Sequence, residues 1–348
     1  TLAGGPYTNM VFPEAKPEEW LSCDQCTDCF KPAFNYRPKQ SAQYALAISN
    51  FDKSEEGPKR YNFGFIASTD DHTARPGTGY KQYERRKMTF ATGVKSKFWE
   101  YKYKAEDPNF PEIPKIIPGE SQPDSERVSS FVYPGGILAV HAEGRGKDQI
   151  WTALKNKNVY GTSGPRILLW FDLINSPEGQ VPMGSEITMS QNPRFIVRAA
   201  GSFKQNEGCS DESIDSLSSE RLEYLCAGEC YNPSNERETI EKIEVIKITP
   251  QIYAGESISP LIQDPWKTIP CQGTGECIVE FEDSNFSRDS VYYVRAIQNP
   301  TPAINGSPLF KRESFELCKG SFRTDLEDDC LSLAYERAWS SPIYVDKP

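Results

Sequence analysis

Two histidines, His72 and His141, are all that this 348-residue chain contains. A hydrolase that holds several metal ions usually draws on more imidazole than that, so the chain is expected to carry part of such a site or none. It also has no apolar run near the ~20 residues that a membrane helix needs, and no membrane span is expected. Positive charge is in deficit: 39 Lys and Arg against 49 Asp and Glu leave a net charge of −10. That balance argues against nucleic-acid binding, which relies on Lys and Arg to neutralise phosphates. No basic stretch leading into an apolar run opens the chain, so no signal peptide is expected in it. A start at Thr1 rather than Met reads as a processed or trimmed N-terminus.

Cysteine, by contrast, is plentiful. The ten fall into close groups: Cys23, Cys26 and Cys29; Cys209, Cys226 and Cys230; Cys271 and Cys277; Cys318 and Cys330. Each group lies in polar, loop-like sequence, and an even count in such loops points to disulfides and an oxidising, secreted or periplasmic setting. Cys271–Cys277 and Cys318–Cys330 are the expected local bridges. The run CDQCTDC at 23–29 also has spacing that starts a zinc knuckle, although no histidine lies nearby to complete one. The 27 prolines and 24 glycines favour short strands and loops over long helices.

Residues 63–77, FGFIASTDDHTARPG, carry the clearest chemical signal. A β-prone apolar run ends in small hydroxyls, two acids and a histidine, the pattern of a strand whose end delivers ligands into a cleft. Asp70 and His72 are two apart and on a strand point the same way, with Asp71 opposed. Carboxylate and imidazole together suit a divalent zinc, manganese or iron ion. A second apolar run, Ile137–Val140, ends in His141, with Glu143 placed to orient the imidazole and Arg145 beyond. His141 and Arg145 are the catalytic candidates. Arg75 and Arg166 are the candidates for substrate binding, because a guanidinium fork pairs with phosphate or carboxylate oxygens. Ser163-Gly164-Pro165 does not complete the G-x-S-x-G of a nucleophile elbow, since Pro165 stands where the last glycine belongs, and it reads as a tight turn. Asn285-Phe286-Ser287 and Asn305-Gly306-Ser307 match glycosylation sequons, a pattern short enough to arise by chance.

Along the chain, residues 1–40 are broken by prolines and read as irregular. A short helix is expected in 39–52, a strand at 62–67, a long Pro-rich loop at 104–128 and a second helix at 147–157 with Ile150, Ala153 and Leu154 on one face. Beyond about 165 the pattern changes to short β-rich runs separated by turn residues: RILLWFDLI, EITMS, RFIVRAAGS, IEKIEVIKITP, CIVEFE, VYYVRAIQ and SSPIYVD. These suggest a β-sandwich. The expected domains are therefore 1–165 and 166–348.

STDDHTARPG, AVHAEGR, the run from Ala153 to Ile167, YYVRAIQNPTPA and ERAWSSPIYV together resemble the C-terminal part of a bacterial family related to the PHP (polymerase and histidinol phosphatase) superfamily. The resemblance implies an α/β portion, the C-terminal part of a distorted β/α barrel, followed by the all-β sandwich-like domain. It implies two or three divalent metals and hydrolysis of a small phosphoester. Of the metal-binding motifs in such barrels only the late Asp-x-His maps here, onto Asp70 and His72; no His-x-His occurs in the chain. The expectation is therefore an exported metal-dependent hydrolase whose remaining ligands come from a companion chain carrying the leading half. The alternative is a non-catalytic secreted β-rich binding or structural subunit of a larger assembly.

Overall fold

Alternating side chains on two long strands organise the molecule. The computed structural model describes residues 21–22, 35–36, 41–52, 57–68, 136–226, 228–273, 275–304 and 331–348. In chain order the elements used below are α1 (Ala42–Ala47), β1 (Ile137–Val140), α2 (Lys147–Lys155), β2 (Val159–Thr162), β3 (Leu168–Ser176), β4 (Gly179–Pro182), β5 (Glu186–Thr188), β6 (Arg194–Ala200), β7 (Phe203–Gln205), α3 (Asp211–Ser216), α4 (Ser219–Cys226), β8 (Pro233–Arg237), β9 (Ile240–Ile248), β10 (Ile262–Pro270), β11 (Glu276–Glu282), β12 (Ser290–Gln298), β13 (Arg337–Ser340) and β14 (Ile343–Asp346).

Eight strands form the larger sheet, in the order β10-β9-β12-β13-β2-β1, with β14 pairing β12 and β5. Four form the smaller, in the order β11-β6-β3-β4. The two sheets pack face to face as a sandwich. Ile243 and Val245 of β9 and Tyr292, Val294 and Ala296 of β12 meet Leu169, Phe171 and Leu173 of β3 and Phe195 and Val197 of β6 in one buried core. Phe195 sits at its centre, with ring centroids 5.3 Å from Phe171, 5.0 Å from Phe281 and 4.8 Å from Tyr292.

The next residues along β9 and β12 point the other way. Ile246, Ile248, Val291 and Tyr293 form a second core with Leu46 and Ala47 of α1, against which Phe63 and Phe65 pack. The larger sheet is thus covered on both faces, which is why β9 and β12 read as nearly continuous apolar runs. Ser41 caps α1, its hydroxyl accepting the Tyr44 amide at 3.1 Å. Buried Gln43 donates to Asp264 and to the Tyr293 hydroxyl, both at 2.6 Å. Every β-rich run expected beyond 165 contributes a strand. The expected Cys271–Cys277 disulfide is present and joins the end of β10 to the start of β11, one in each sheet. Cys318 and Cys330 lie outside the described residues.

The barrel expectation is corrected by strand direction. In a β/α barrel the strands are all parallel and a helix connects each to the next. Here α2 lies between β1 and β2, yet these two strands pair antiparallel, with Leu138 opposite Gly161 and Val140 opposite Val159. Among the described residues, the one parallel pairing is β14 with β5, helices are few and short, and no β/α barrel is present. β1 and β2 instead form the edge of the same sheet that holds β9 and β12, so that sheet takes strands from either side of residue 165. Residues 61–68, expected as a strand at 62–67, are without strand pairing. The expected face of α2 is half realised: Ala153 is buried, but Ile150 and neighbouring Trp151 are 37% and 57% exposed.

The sandwich also contains a buried ion pair. Asp283, after β11, accepts from the Lys247 ammonium of β9 and from the Tyr292 hydroxyl of β12 at 2.6 Å. Burial pushes the Asp283 carboxyl up, but the bonds from Lys247 and Tyr292 outweigh it and hold it below the usual range. A depressed carboxyl contributes stability that is complete above its unfolded value of about 3.9 and is lost as pH falls through the lower folded value. Asp283→Asn is therefore expected to lower stability at pH 7 and to flatten its acid dependence below about pH 4, checked by urea unfolding across pH. Phe195→Ala is expected to cost about 3–5 kcal/mol in the same measurement.

Candidate functional site

A cleft of about 700 Å3 opens at the β1–β2 edge of the larger sheet. Three stretches far apart in sequence line it: Ile66–Ser68, Gly136–Ala139, and Tyr160 with Thr162 and Arg166–Leu168. Each belongs to one of the motif segments distinguished in the sequence.

The first stretch is laid against the sheet by specific bonds. The Tyr344 hydroxyl of β14 donates to the Phe63 carbonyl at 2.8 Å and accepts the Phe63 amide at 2.9 Å. Burial pushes that phenol up to about 12, which keeps it a neutral donor at ordinary pH. The Phe65 amide donates to the Ser341 hydroxyl at 3.0 Å. Next, the chain crosses β2 where Gly161 leaves room. A Cβ on Gly161 would lie 2.8 Å from the Ala67 Cβ and 3.0 Å from its amide nitrogen. At the far side the Gly136 amide donates to the Ser68 carbonyl at 3.1 Å. Residue 68 and residue 136 therefore meet at the cleft although 67 residues separate them in sequence.

The floor of the cleft is apolar, from Ile66, Ala67, Ile137, Leu138, Ala139, Ile167 and Leu168. Tyr160 adds a hydroxyl that donates to the Ile167 carbonyl at 3.0 Å, and burial pushes its phenol up to about 12. Arg166 is the one charged residue among the described lining, and its guanidinium sits 3.9 Å from the centroid of the Tyr231 ring. Together these surfaces suit a ligand with an apolar body and an anionic group.

Of the sequence candidates, Arg166 lies at the cleft and His141 beside it. The His141 Nε2 is 2.8 Å from the Leu169 carbonyl, to which it donates, and its ring lies 5.3 Å from Tyr160 and 5.6 Å from Trp170. The carbonyl of Leu169, rather than Glu143, is the observed partner of the imidazole. Arg145 is exposed in the turn before α2. Asp70, His72 and Arg75 lie outside the described residues. Ser163 is tied into the sandwich: its hydroxyl donates to Glu336 at 2.5 Å and accepts the Arg337 amide at 2.9 Å, consistent with a turn.

Sequence reading did not foresee that β2 lines the site. The helix expected at 147–157 stops short of it, and all four residues of Val159–Thr162 are buried in the strand. Its signal was present in Val159 and Tyr160, two β-prone residues followed by a glycine that permits close backbone approach. Tyr160 and Leu169 were likewise missed.

Comparison with known proteins bears on this same region. Residues 50–207 match a family described as "Protein of unknown function (DUF3604)". The match takes in all three cleft-lining stretches, as well as Asp70, His72, Arg75, His141, Arg145 and Arg166. It covers a little under half of the chain and makes no connection to the PHP superfamily. No curated protein and no solved structure matches the chain.

Close packing at Gly161 makes the site testable without a ligand. Gly161→Val is expected to expel segment 63–68 from the sheet, because the added methyls meet the backbone of residue 67 rather than a flexible side chain. The expected loss is about 1–3 kcal/mol, with faster proteolytic cleavage between residues 60 and 68. Unchanged cleavage would mean that the segment is not held there.

Proposed function

We propose that this chain is part of an exported metal-dependent hydrolase of phosphoesterase type, with the cleft at the β1–β2 edge as the place where its site is assembled. The observation that supports this reading is the meeting of three motif segments at one cleft.

The described lining offers no carboxylate or imidazole, so the metal ligands have to come from elsewhere. Asp70 and His72 follow Ser68 by two and four residues, and the covalent chain keeps their Cα atoms within about 7 and 14 Å of it. One carboxylate and one imidazole are an incomplete set for zinc, manganese or iron, and in this reading the remainder comes from a companion chain. When bound, the metal supplies Lewis-acid activation of a water. Arg166 faces the anionic oxygens of the substrate, with Arg75 as its helper. His141, held by the Leu169 carbonyl through Nε2, presents its other ring nitrogen as a proton acceptor, and Arg145 attends the leaving group. The reading keeps the metal chemistry of the PHP resemblance without its barrel. The disulfides support export, since such bonds persist in oxidising compartments.

A second reading, a non-catalytic secreted binding module, is favoured by the apolar character of the cleft floor. The two are separated by elemental analysis of the protein purified without chelators, together with hydrolysis of a chromogenic phosphoester. The hydrolase reading expects bound divalent metal, a histidine-rich companion polypeptide in the preparation, and loss of both metal and activity in Asp70→Asn and in His72→Ala. A metal-free, inactive protein that is monodisperse as a single chain would overturn it in favour of the binding module. Full metal content and activity in both variants would remove the assigned ligands.

A further inference from the structure

We propose that Cys209, Cys226 and Cys230 form a thiolate site for zinc that exists when the Cys209–Cys230 disulfide is reduced. The three sulfurs lie in the 206–232 excursion, which leaves the sandwich between β7 and β8 and contains α3 and α4. All three Sγ atoms lie within 4.8 Å of one another. Cys209 and Cys230 are bonded, and Cys226 lies outside the two described disulfides. The Cys226 Sγ is 3.7 Å from that of Cys209 and 2.8 Å from that of Cys230.

Two features argue for a metal in addition to a disulfide. The first is spacing. Cys226 ends α4 and Cys230 follows four residues later, a C-x3-C pair of the kind found in zinc sites, with the third thiol brought back from before α3. Tetrahedral zinc with bonds of about 2.3 Å places its sulfurs about 3.8 Å apart. The Cys209–Cys226 separation already has that value, and reduction lets the Cys230 sulfur move out to the same edge. The second is how small the core is among the described residues there. Among the described residues of the excursion, Leu222 is the one buried aliphatic that packs with the three cysteines, while Ile214, Leu217, Tyr224 and Leu225 are 54%, 40%, 66% and 41% exposed. A unit with so small a core needs a covalent or metal staple. One disulfide uses two cysteines; the buried third completes a set of three.

The two states exclude each other. Opening the Cys209–Cys230 bond takes two electrons and two protons from a dithiol reductant, which is oxidised to its own disulfide. Zinc then displaces the thiol protons to solvent and is held by three thiolates, with the fourth position open to water. A disulfide oxidant, which takes up the two electrons and is itself reduced to the dithiol, re-forms the Cys209–Cys230 bond and expels the ion, so these sulfurs report the redox state of the compartment. None of this depends on the reading of the cleft.

The test uses the full chain with Cys23, Cys26 and Cys29 changed to Ser, so that the other cysteine-rich run contributes nothing. After reduction and removal of the reductant without oxygen, Co(II) is expected to give a thiolate-to-metal absorption band at one equivalent, and Zn(II) to displace it. Oxidised protein and Cys226→Ser should lack the three-thiolate band. Zn(II) should also shield Cys209, Cys226 and Cys230 from alkylation in the chain with its native cysteines, as read by peptide mass, which covers the case in which a variant fails to fold. No band together with no shielding, or a band unchanged in Cys226→Ser, would overturn the proposal.

Discussion

Burial of both faces of β9 and β12 is the constraint on which the rest of the structure depends. Their inner residues close the sandwich core against β3 and β6, and their outer residues, Ile246, Ile248, Val291 and Tyr293, require a cover of their own. Part of that cover comes from Leu46 and Ala47 of α1 and from Phe63 and Phe65, which sequence composition connects least obviously to the sheet. Because apolar area left in water is unfavourable in proportion to its extent, the outer face recruits α1 and the Phe63–Phe65 stretch. The path of this cover then brings Ser68 to the edge of the sheet at Gly136.

The cleft follows from that path. Segment 63–68 cannot lie flat on β2 unless the strand lacks a side chain at the crossing, and Gly161 supplies the gap. The Tyr344 hydroxyl and Ser341 then fix the segment in register. A buried structural requirement, the covering of an apolar sheet face, and an exposed chemical one, the gathering of motif segments, are thus met by the same few contacts. The Asp283 ion pair behaves differently: it joins β9 and β12 to the turn after β11 inside the sandwich, away from the cleft.

Much of the β architecture could be read directly. The runs from RILLWFDLI to SSPIYVD all became strands because β-branched and aromatic residues, bounded by turn residues, keep their local preference when packed. β10 was harder, since IQDPWKTIP contains Pro265 within the strand; it is tolerated because β10 is the edge of its sheet, where an amide donor is dispensable. β1 was legible as a strand but not its partner. An apolar run, a helix and a second apolar stretch are equally compatible with a parallel barrel unit and with an antiparallel pair, and only pairing direction separates them. Of the residues that the motifs made candidates, Arg166 lies at the cleft and His141 beside it. Tyr160 and Leu169 escaped notice because one holds a carbonyl through its hydroxyl and the other acts through its backbone.

By itself, the sequence determined what is local: the β-rich runs beyond residue 165, a short helix within 39–52, the six-residue spacing that lets Cys271 bridge to Cys277, and the residues whose chemistry suits a metal or an anion. Tertiary structure decided everything that depends on partners distant along the chain. It set β1 antiparallel to β2, placed residues from both sides of position 165 in one sheet, turned His141 toward a carbonyl, and joined residue 68 to residue 136. The reason is physical: propensity and spacing act over a few residues, whereas pairing direction and burial are fixed by surfaces that exist only once the sheets have formed.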